Sequence, residues 1–138
     1  MKLAKPAQHL FEQFCEGYAM RDLSFTLSLF TKEANVWGSG LDEYRVGSKE
    51  IEEQLTRDWS QSESSKIEVV RFVPTPDNAL WAAAVCNARI IVANKNYLFE
   101  HLRGTLIIEQ DEGIWKIAHM HASFPDYRNV ENNSFPIN

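Results

Sequence analysis

The sequence GIWKIAHMHASFP, residues 113–125, decides the predicted fold of this chain. Successive side chains of an extended strand point to opposite faces. One face of this strand would carry Trp115, Ile117, His119, His121 and Ser123. The other face carries one lysine and then alanine, methionine and alanine. Neither set is typical of a solvent face, so we predict a strand that is central to a sheet and covered on both sides, by a core or pocket and by a partner.

Length and composition predict one globular domain. The 138 residues are 44% hydrophobic, which is enough chain to bury about two thirds of its unfolded surface. The formal net charge of -5 argues against nucleic-acid binding, which requires a basic patch. The sequence contains neither a secretory signal nor an apolar run of the ~20 residues that cross a membrane. We therefore expect a cytoplasmic protein without nucleic-acid or membrane partners.

The two cysteines are predicted to be free thiols. Cys15 and Cys86 lie far apart in the chain, without a CxxC motif or a histidine at metal-ligand spacing. Cysteine often packs in protein interiors as a small apolar residue. The sequence therefore predicts neither a metal site nor a disulfide framework, and no cofactor is expected.

Helical periodicity dominates the first half of the chain. Apolar residues recur at helical spacing over residues 6–20. A second short helix is predicted after Asp22 or Ser24, either of which can cap it, and it ends before Ala34. A third helix is predicted to begin at Ser48. Its apolar face consists of Ile51, Leu55 and Trp59.

The second half of the chain has the pattern of long strands separated by turns. Between the second and third predicted helices, the sequence indicates a short strand at residues 35–38 and a loop that continues to residue 47. After the third helix, turn sequences separate four predicted antiparallel strands. They begin near residues 66, 79, 97 and 114. This order predicts an α+β domain over residues 1–126, followed by a tail at 127–138.

Two segments resemble a known family. FTKEANVWGSGLDEYRVGSKEIEEQLTRDW, residues 30–59, resembles the first half of a SnoaL-like domain of the nuclear transport factor 2-like superfamily. RGTLIIEQDEGIWKIAHMHASFP, residues 103–125, resembles its end. The pattern W-x-x-x-H-x-H-x-S in the second segment also resembles the association domain of calcium/calmodulin-dependent kinase II. The resemblance covers nearly the whole chain and is more specific for fold than for function.

The resemblance implies a fold and a range of functions. The fold is a strongly curved antiparallel sheet that forms a cone, with three helices closing a deep pocket and the outer face of the sheet forming homodimers. Members of the superfamily include isomerases, dehydratases, polyketide cyclases and modules without catalysis. The fold therefore leaves the activity open.

Several polar and aromatic residues are candidates for the pocket. Two imidazoles at i and i+2 of one strand face the same space, and an arginine in an apolar strand must meet a carboxylate, a set of carbonyls or a bound anion. For Arg103, a structural bridge to Asp42, Glu43 or Glu100 is the alternative. The predicted ligand-binding residues are Trp37, Tyr44, Trp59, Arg89, Arg103, His119 and His121.

Three functions remain open at this point. The first is a homodimeric domain that binds a small acidic or aromatic molecule. The second is an isomerase, lyase or cyclase in which His121 or Asp42 moves a proton, although Asp42 lies in a loop where solvation is the simpler expectation. The third is a non-catalytic assembly module. No complete catalytic constellation is visible, and an enzyme would require a strongly perturbed titrating group in the pocket.

Overall fold

Three helices precede and cover a six-stranded sheet in the computed structural model, which describes residues 4–137. The helices are α1 (Pro6–Met20), α2 (Leu23–Ser28) and α3 (Gly47–Ser60). The strands are β1 (Phe30–Trp37), β2 (Tyr44–Val46), β3 (Ser64–Phe72), β4 (Trp81–Val92), β5 (Lys95–Asp111) and β6 (Ile114–Ser123). The predicted α+β class and the first predicted helix are confirmed. Within residues 4–137, no helix has the length and apolar character needed to span a membrane.

The sheet places the last strand in its middle. Its order is β2-β1-β6-β5-β4-β3. β6 pairs with β1 in parallel and with β5 antiparallel, and the remaining neighbours are all antiparallel. The four predicted long strands therefore form the meander that the turn signals indicated, and the central position of β6 is confirmed.

The region between α2 and α3 differs from the prediction. β1 begins at Phe30, α2 ends at Ser28, and the predicted loop contains the short strand β2. Asp22 accepts a hydrogen bond from the backbone N–H of Phe25 and caps α2. Of the two predicted caps, Asp22 and Ser24, the structure therefore has the first. The residues after Ser28 form a strand and not the predicted helix because β6 offers them backbone hydrogen-bond partners. The first of these bonds runs from the Ile117 N–H to the carbonyl oxygen of Leu29.

Small residues allow α1 to pack closely on the sheet. The inward face of β4 carries a row of small buried side chains, Ala82, Ala84, Cys86 and Ala88. A Cβ atom at Gly104 on β5 would lie 3.1 Å from the ring of Phe11 on α1. Glycine is therefore the residue that this close approach permits. The larger side chains Leu106, Ile108 and Ile117 complete the core beside this row.

Bulges bend the sheet. The register shifts between Val69 and Arg71 in β3, between Cys86 and Ala88 opposite β5, and between Ile107 and Ile108 opposite β6. A bulge adds one residue to a strand, bends that strand and increases its twist. At the second shift His101 adopts a left-handed backbone conformation with φ of 63°. The sheet is therefore curved without closing, and its concave face is covered by the helices.

Candidate functional site

A cavity of about 500 Å³ lies between the helices and the concave face of the sheet. Its wall is mainly apolar and is contributed by α1, α3 and all six strands, β2 contributing Arg45. The apolar lining residues are Phe14, Phe30, Val36, Trp37, Ile51, Leu55, Ile67, Ala88, Ile90, Phe99, Leu102, Met120, Ala122 and Phe124. A volume of this size is typical of a small-molecule site.

A bulge in β6 reverses which of its side chains point into the cavity. Ile107 pairs with His119 while Ile108 pairs with Ile117, so Ala118 is an extra residue on β6. Ile117 is fully buried on the inner side. Beyond the bulge the inner side chains are Met120 and Ala122, which line the cavity. The strict alternation assumed from the sequence is therefore interrupted at Ala118.

The two histidines lie on the outer side of the sheet, and their predicted placement in the pocket is wrong. His119 is half-buried, and its Nδ1 forms a hydrogen bond with the side-chain oxygen of Asn35 on β1. His121 is exposed beside the ring of Trp37. Both histidines come after the extra residue Ala118, so their side chains point to the side opposite the cavity. His121 therefore cannot move a proton inside this cavity.

The two predicted arginines also lie outside the cavity. Arg103 is exposed on the outer face of β5, opposite Ser123 on β6. It forms none of the alternative salt bridges to Asp42, Glu43 or Glu100. Arg89 forms an exposed ion pair with Glu68 on the neighbouring strand β3. The preference for an acidic ligand, which depended on these arginines, therefore has no support from their positions.

The predicted aromatic residues divide between the rim and the surroundings of the cavity. Trp37 lines the rim and stacks on the exposed ring of Tyr44, with centroids 4.3 Å apart. Tyr44 itself contributes no part of the wall. Trp59 packs behind the wall and donates its indole N–H to the carbonyl oxygen of Tyr18 over 3.1 Å. Of the predicted ligand-binding residues, Trp37 is thus the one that contacts the cavity.

A loop from β1 to β2 closes one side of the mouth. The Glu43 side chain accepts a hydrogen bond from the Gly40 N–H and an ion-pair contact from Arg57 on α3 at 3.4 Å. Asp42 is largely exposed and lies 3.2 Å from the same guanidinium. Arg57 lowers the pKa of Asp42, which is the opposite of what a general base in an apolar site requires. Asp42 is therefore a surface residue that holds the loop to α3.

Three polar side chains converge inside the cavity. The hydroxyl of Tyr18 on α1 donates to Oδ2 of Asp58 on α3 at 2.9 Å. The amide of Gln54, one turn earlier on α3, donates to Oδ1 of Asp58 at 2.7 Å. All three residues belong to the cavity wall. This Tyr18–Gln54–Asp58 cluster is the main polar feature of the interior.

Burial perturbs both titrating groups of the cluster. Removal from water raises the pKa of Asp58, and the hydrogen bonds from Tyr18 and Gln54 oppose that shift. Burial, followed by the nearby Asp58 charge, raises the pKa of Tyr18 as well. Because the folded state binds the Asp58 proton more tightly than the unfolded chain does, this group favours folding below the ordinary aspartate pKa. That contribution is lost as the pH rises through the raised pKa.

Sequence reasoning overlooked this cluster, although a signal was present. Asp58 follows Ile51 by seven residues and Leu55 by three, and Gln54 follows Ile51 by three. These spacings put both polar side chains on the apolar face of α3. Tyr18 lies on the helical repeat of apolar residues at 6–20, and this repeat gives no sign of a role for its hydroxyl. A carboxylate on the apolar face of a helix indicates a polar partner in the interior, since a buried charge without a partner is costly.

The thiols of the two cysteines are not poised for chemistry. Cys86 is buried and Cys15 is half-buried, and both are free. Burial raises the pKa of Cys15 to about 12 and that of Cys86 to about 11. The reactive thiolate is therefore scarce at neutral pH. Within residues 4–137, no group of three or more histidine, cysteine, aspartate or glutamate side chains is arranged to hold a metal ion.

Solved structures share this fold over most of the chain. A Novosphingobium aromaticivorans protein proposed to be an aromatic ring hydroxylase is 19% identical, with 88% of each chain covered and a TM-score of 0.74. A Xanthomonas campestris protein proposed to be a calcium/calmodulin-dependent protein kinase II association domain is 17% identical, with 88% of this chain and 87% of that chain covered and a TM-score of 0.73. At these identities the likeness concerns the fold alone.

A third solved structure is similar to most of the chain. It is a protein with a ketosteroid isomerase-like fold from Catenulispora acidiphila, crystallised in complex with trimethylamine. It is 6% identical, with 83% of this chain and 84% of that chain covered and a TM-score of 0.66. No curated protein matches the chain.

The sequence itself matches a family. The profile of the SnoaL-like domain matches residues 7–127, which include all three helices and all six strands except the first residue of α1. The predicted family and its curved α+β architecture are confirmed by this match and by the nuclear transport factor 2-like neighbours. The chain belongs to the SnoaL-like domain family.

Proposed function

We propose that the protein binds a small, mainly apolar molecule in the cavity. The observation that carries this proposal is the cavity of about 500 Å³, whose wall is apolar except for a few convergent polar groups. Binding sites for small molecules combine these two features, since apolar contact supplies affinity and a few polar groups orient the ligand. The Tyr18–Gln54–Asp58 cluster supplies the orienting groups.

Filling the cavity is expected to abolish binding. Ala122 lies on the inner side of β6 and lines the wall, so Ala122→Phe places a ring where a ligand would sit. N-phenylnaphthylamine, a neutral aromatic fluorophore, is expected to bind the unmodified protein saturably at one site with increased fluorescence. Ala122→Phe should weaken this binding by about tenfold or more, since it removes most of the apolar contact.

The matched control introduces the same ring outside the cavity. Thr56 is exposed on α3, and Thr56→Phe should leave the affinity for N-phenylnaphthylamine within about twofold of the unmodified value. Circular dichroism establishes that both variants are folded. Equal affinity in Ala122→Phe and the unmodified protein would refute the proposal, as would a fluorescence increase that does not saturate.

Proton transfer of the isomerase type is the second candidate. Asp58 is favoured for it because this carboxylate has a raised pKa, lies in an apolar cavity and is bonded to a tyrosine hydroxyl. Such a group can take a proton from a ligand carbon next to a carbonyl. Turnover that disappears in Asp58→Asn while ligand binding persists would distinguish catalysis from binding alone.

We also propose that two copies associate through the outer face of the sheet. Four large side chains on this face are between 41% and 46% exposed: Trp37, Tyr44, Trp81 and Ile107. Trp37 pairs with His121 on this face and, as the last residue of β1, also reaches the rim of the cavity. Trp81 and Ile107 are cross-strand partners and form an apolar pair on adjacent strands, and Ile107 is also paired with His119 on β6. An exposed patch of this kind is typical of an interface between proteins.

A charge in the middle of this face should separate the copies. Ile107→Glu is expected to convert a dimer to a monomer, because the carboxylate would be desolvated in the interface. Sedimentation velocity at several concentrations gives the mass, and Val130→Glu on the exposed C-terminal segment is the control. A monomeric unmodified protein, or an Ile107→Glu protein that remains dimeric, would contradict this arrangement.

A further inference from the structure

The hydrogen bonds already made within the Tyr18–Gln54–Asp58 cluster determine what kind of ligand group can join it. Tyr18 has one hydroxyl hydrogen, and it is donated to Asp58. Gln54 has two amide hydrogens, which go to Asp58 at 2.7 Å and to Glu43 at 3.4 Å. Its amide oxygen accepts from Arg57 at 3.3 Å. The opposite amide orientation would set the oxygen against two carboxylates, so this assignment is the favourable one.

The cluster therefore offers a ligand acceptors and no free donor. Each carboxylate oxygen of Asp58 accepts one hydrogen bond from the protein and has capacity for another. The hydroxyl oxygen of Tyr18 can likewise accept. A ligand that meets this cluster must supply hydrogens. A carbonyl or carboxylate ligand would instead present lone pairs to lone pairs.

The charges around the cavity favour the same conclusion. Asp58 and Glu43 are acidic lining residues, and Arg45 is the basic one among the described residues. The guanidinium of Arg45 is bonded to the carbonyl oxygens of Asp42 and Tyr44 in the loop. Arg57 is bonded to Asp42, Glu43 and Gln54 at the mouth. Among residues 4–137, no basic side chain forms an ion pair with Asp58.

The aromatic wall is suited to a cation. The rings of Phe14 and Tyr18 lie 5.9 Å apart, and Phe14 packs edge-on against Phe30 at the same distance. Phe99 and Phe124 are neighbours elsewhere on the wall, with centroids 6.1 Å apart and their planes tilted by 53°. The faces of such rings attract a positive charge, most strongly where water is excluded.

We propose that the ligand of this cavity is a protonated primary or secondary amine attached to an apolar body, with its N–H groups donated to Asp58 and Tyr18. This inference rests on the proposed binding function and names its ligand class. The ammonium supplies the missing counter-charge, the missing donors and a partner for the aromatic rings. The apolar body of the ligand fills the remainder of the cavity.

Competition between three matched compounds tests this assignment. Phenylbutylamine, phenylbutanol and phenylbutyrate share a carbon skeleton and differ in the terminal group, which is cationic, neutral or anionic. Each is titrated against the protein loaded with N-phenylnaphthylamine at pH 7. The amine is expected to bind about tenfold tighter than the alcohol, since a charge-assisted hydrogen bond is stronger than a neutral one. The carboxylate should be the weakest competitor.

Two variants locate the preference at Asp58. Asp58→Asn removes the charge at nearly constant volume and should bring the amine and alcohol affinities to within about twofold of each other. Glu52→Gln removes a charge from an exposed position of the same helix and should preserve the tenfold preference. The order of the three compounds on the unmodified protein does not depend on either variant folding.

The outcomes separate this inference from the proposed function. Saturable binding of N-phenylnaphthylamine with alcohol or carboxylate competing as well as the amine would overturn the amine assignment and leave the binding function standing. An amine preference that survives in Asp58→Asn would also overturn it. Absence of binding by the fluorophore and by all three compounds would overturn both proposals.

Discussion

Replacing Ile117 or Met120 by alanine is expected to lower the free energy of unfolding by about 2 to 4 kcal/mol in each case. The two side chains are three residues apart on β6, yet both are buried on the inner side of the sheet. The extra residue at Ala118 makes this possible. Each truncation removes apolar contact with the core and leaves space that the neighbouring strands cannot close.

The matched control is His121→Ala on the same strand. His121 is exposed on the outer side, so its truncation should change the free energy of unfolding by less than about 0.5 kcal/mol. Urea denaturation followed by tryptophan fluorescence measures all three variants. A large loss at His121 with little effect at Met120 would mean that β6 alternates without the bulge.

Leu106→Ala is expected to lower the free energy of unfolding by about 3 to 5 kcal/mol. Leu106 lies at the centre of β5 with no exposed surface and pairs with Ala82 on one side and Met120 on the other. The small residues of β4 hold the helix α1 close to the sheet and cannot expand into the space left behind. The cost should therefore fall at the upper end of the range for leucine truncation.

An exposed leucine provides the comparison for this variant. Leu41 lies in the loop before β2 with its side chain fully in water, and Leu41→Ala should change the stability by less than about 0.5 kcal/mol. Both variants are measured by thermal and urea denaturation. A loss at Leu106 no greater than that at Leu41 would contradict the packing of β5 against β4.

The local periodicity of apolar residues was sufficient to predict much of the fold. The helix at residues 6–20 and the antiparallel order of the last four strands could be read directly, because burial on one face imposes the periods of helix and strand. The boundary between α2 and β1 could not, since residues 30–34 are compatible with either structure alone. Pairing with β6, a strand more than 75 residues later, decided it.

The candidate site was predicted less well than the fold. Trp37 lies at the rim of the cavity, whereas the histidines and arginines lie outside it. The histidines were expected there because unbroken alternation was assumed along β6, which the extra residue at Ala118 interrupts. The arginines were expected there because an arginine in an apolar strand needs a partner. A single bulge exchanges the two faces of a strand for every residue beyond it. Nothing in the sequence around Ala118 distinguishes it from a regular strand position.

The sequence by itself determined the family, the α+β class and the central position of the last strand, because these follow from periodicities and motifs within short segments. Only the tertiary structure decided which face of that strand lines the cavity and which polar groups meet inside it. Tyr18 and Asp58 are 40 residues apart and on different helices, and they become partners only when both helices cover the bent sheet. The bend arises from residues that the strands do not pair, so the chemistry of the cavity depends on contacts that no local pattern encodes.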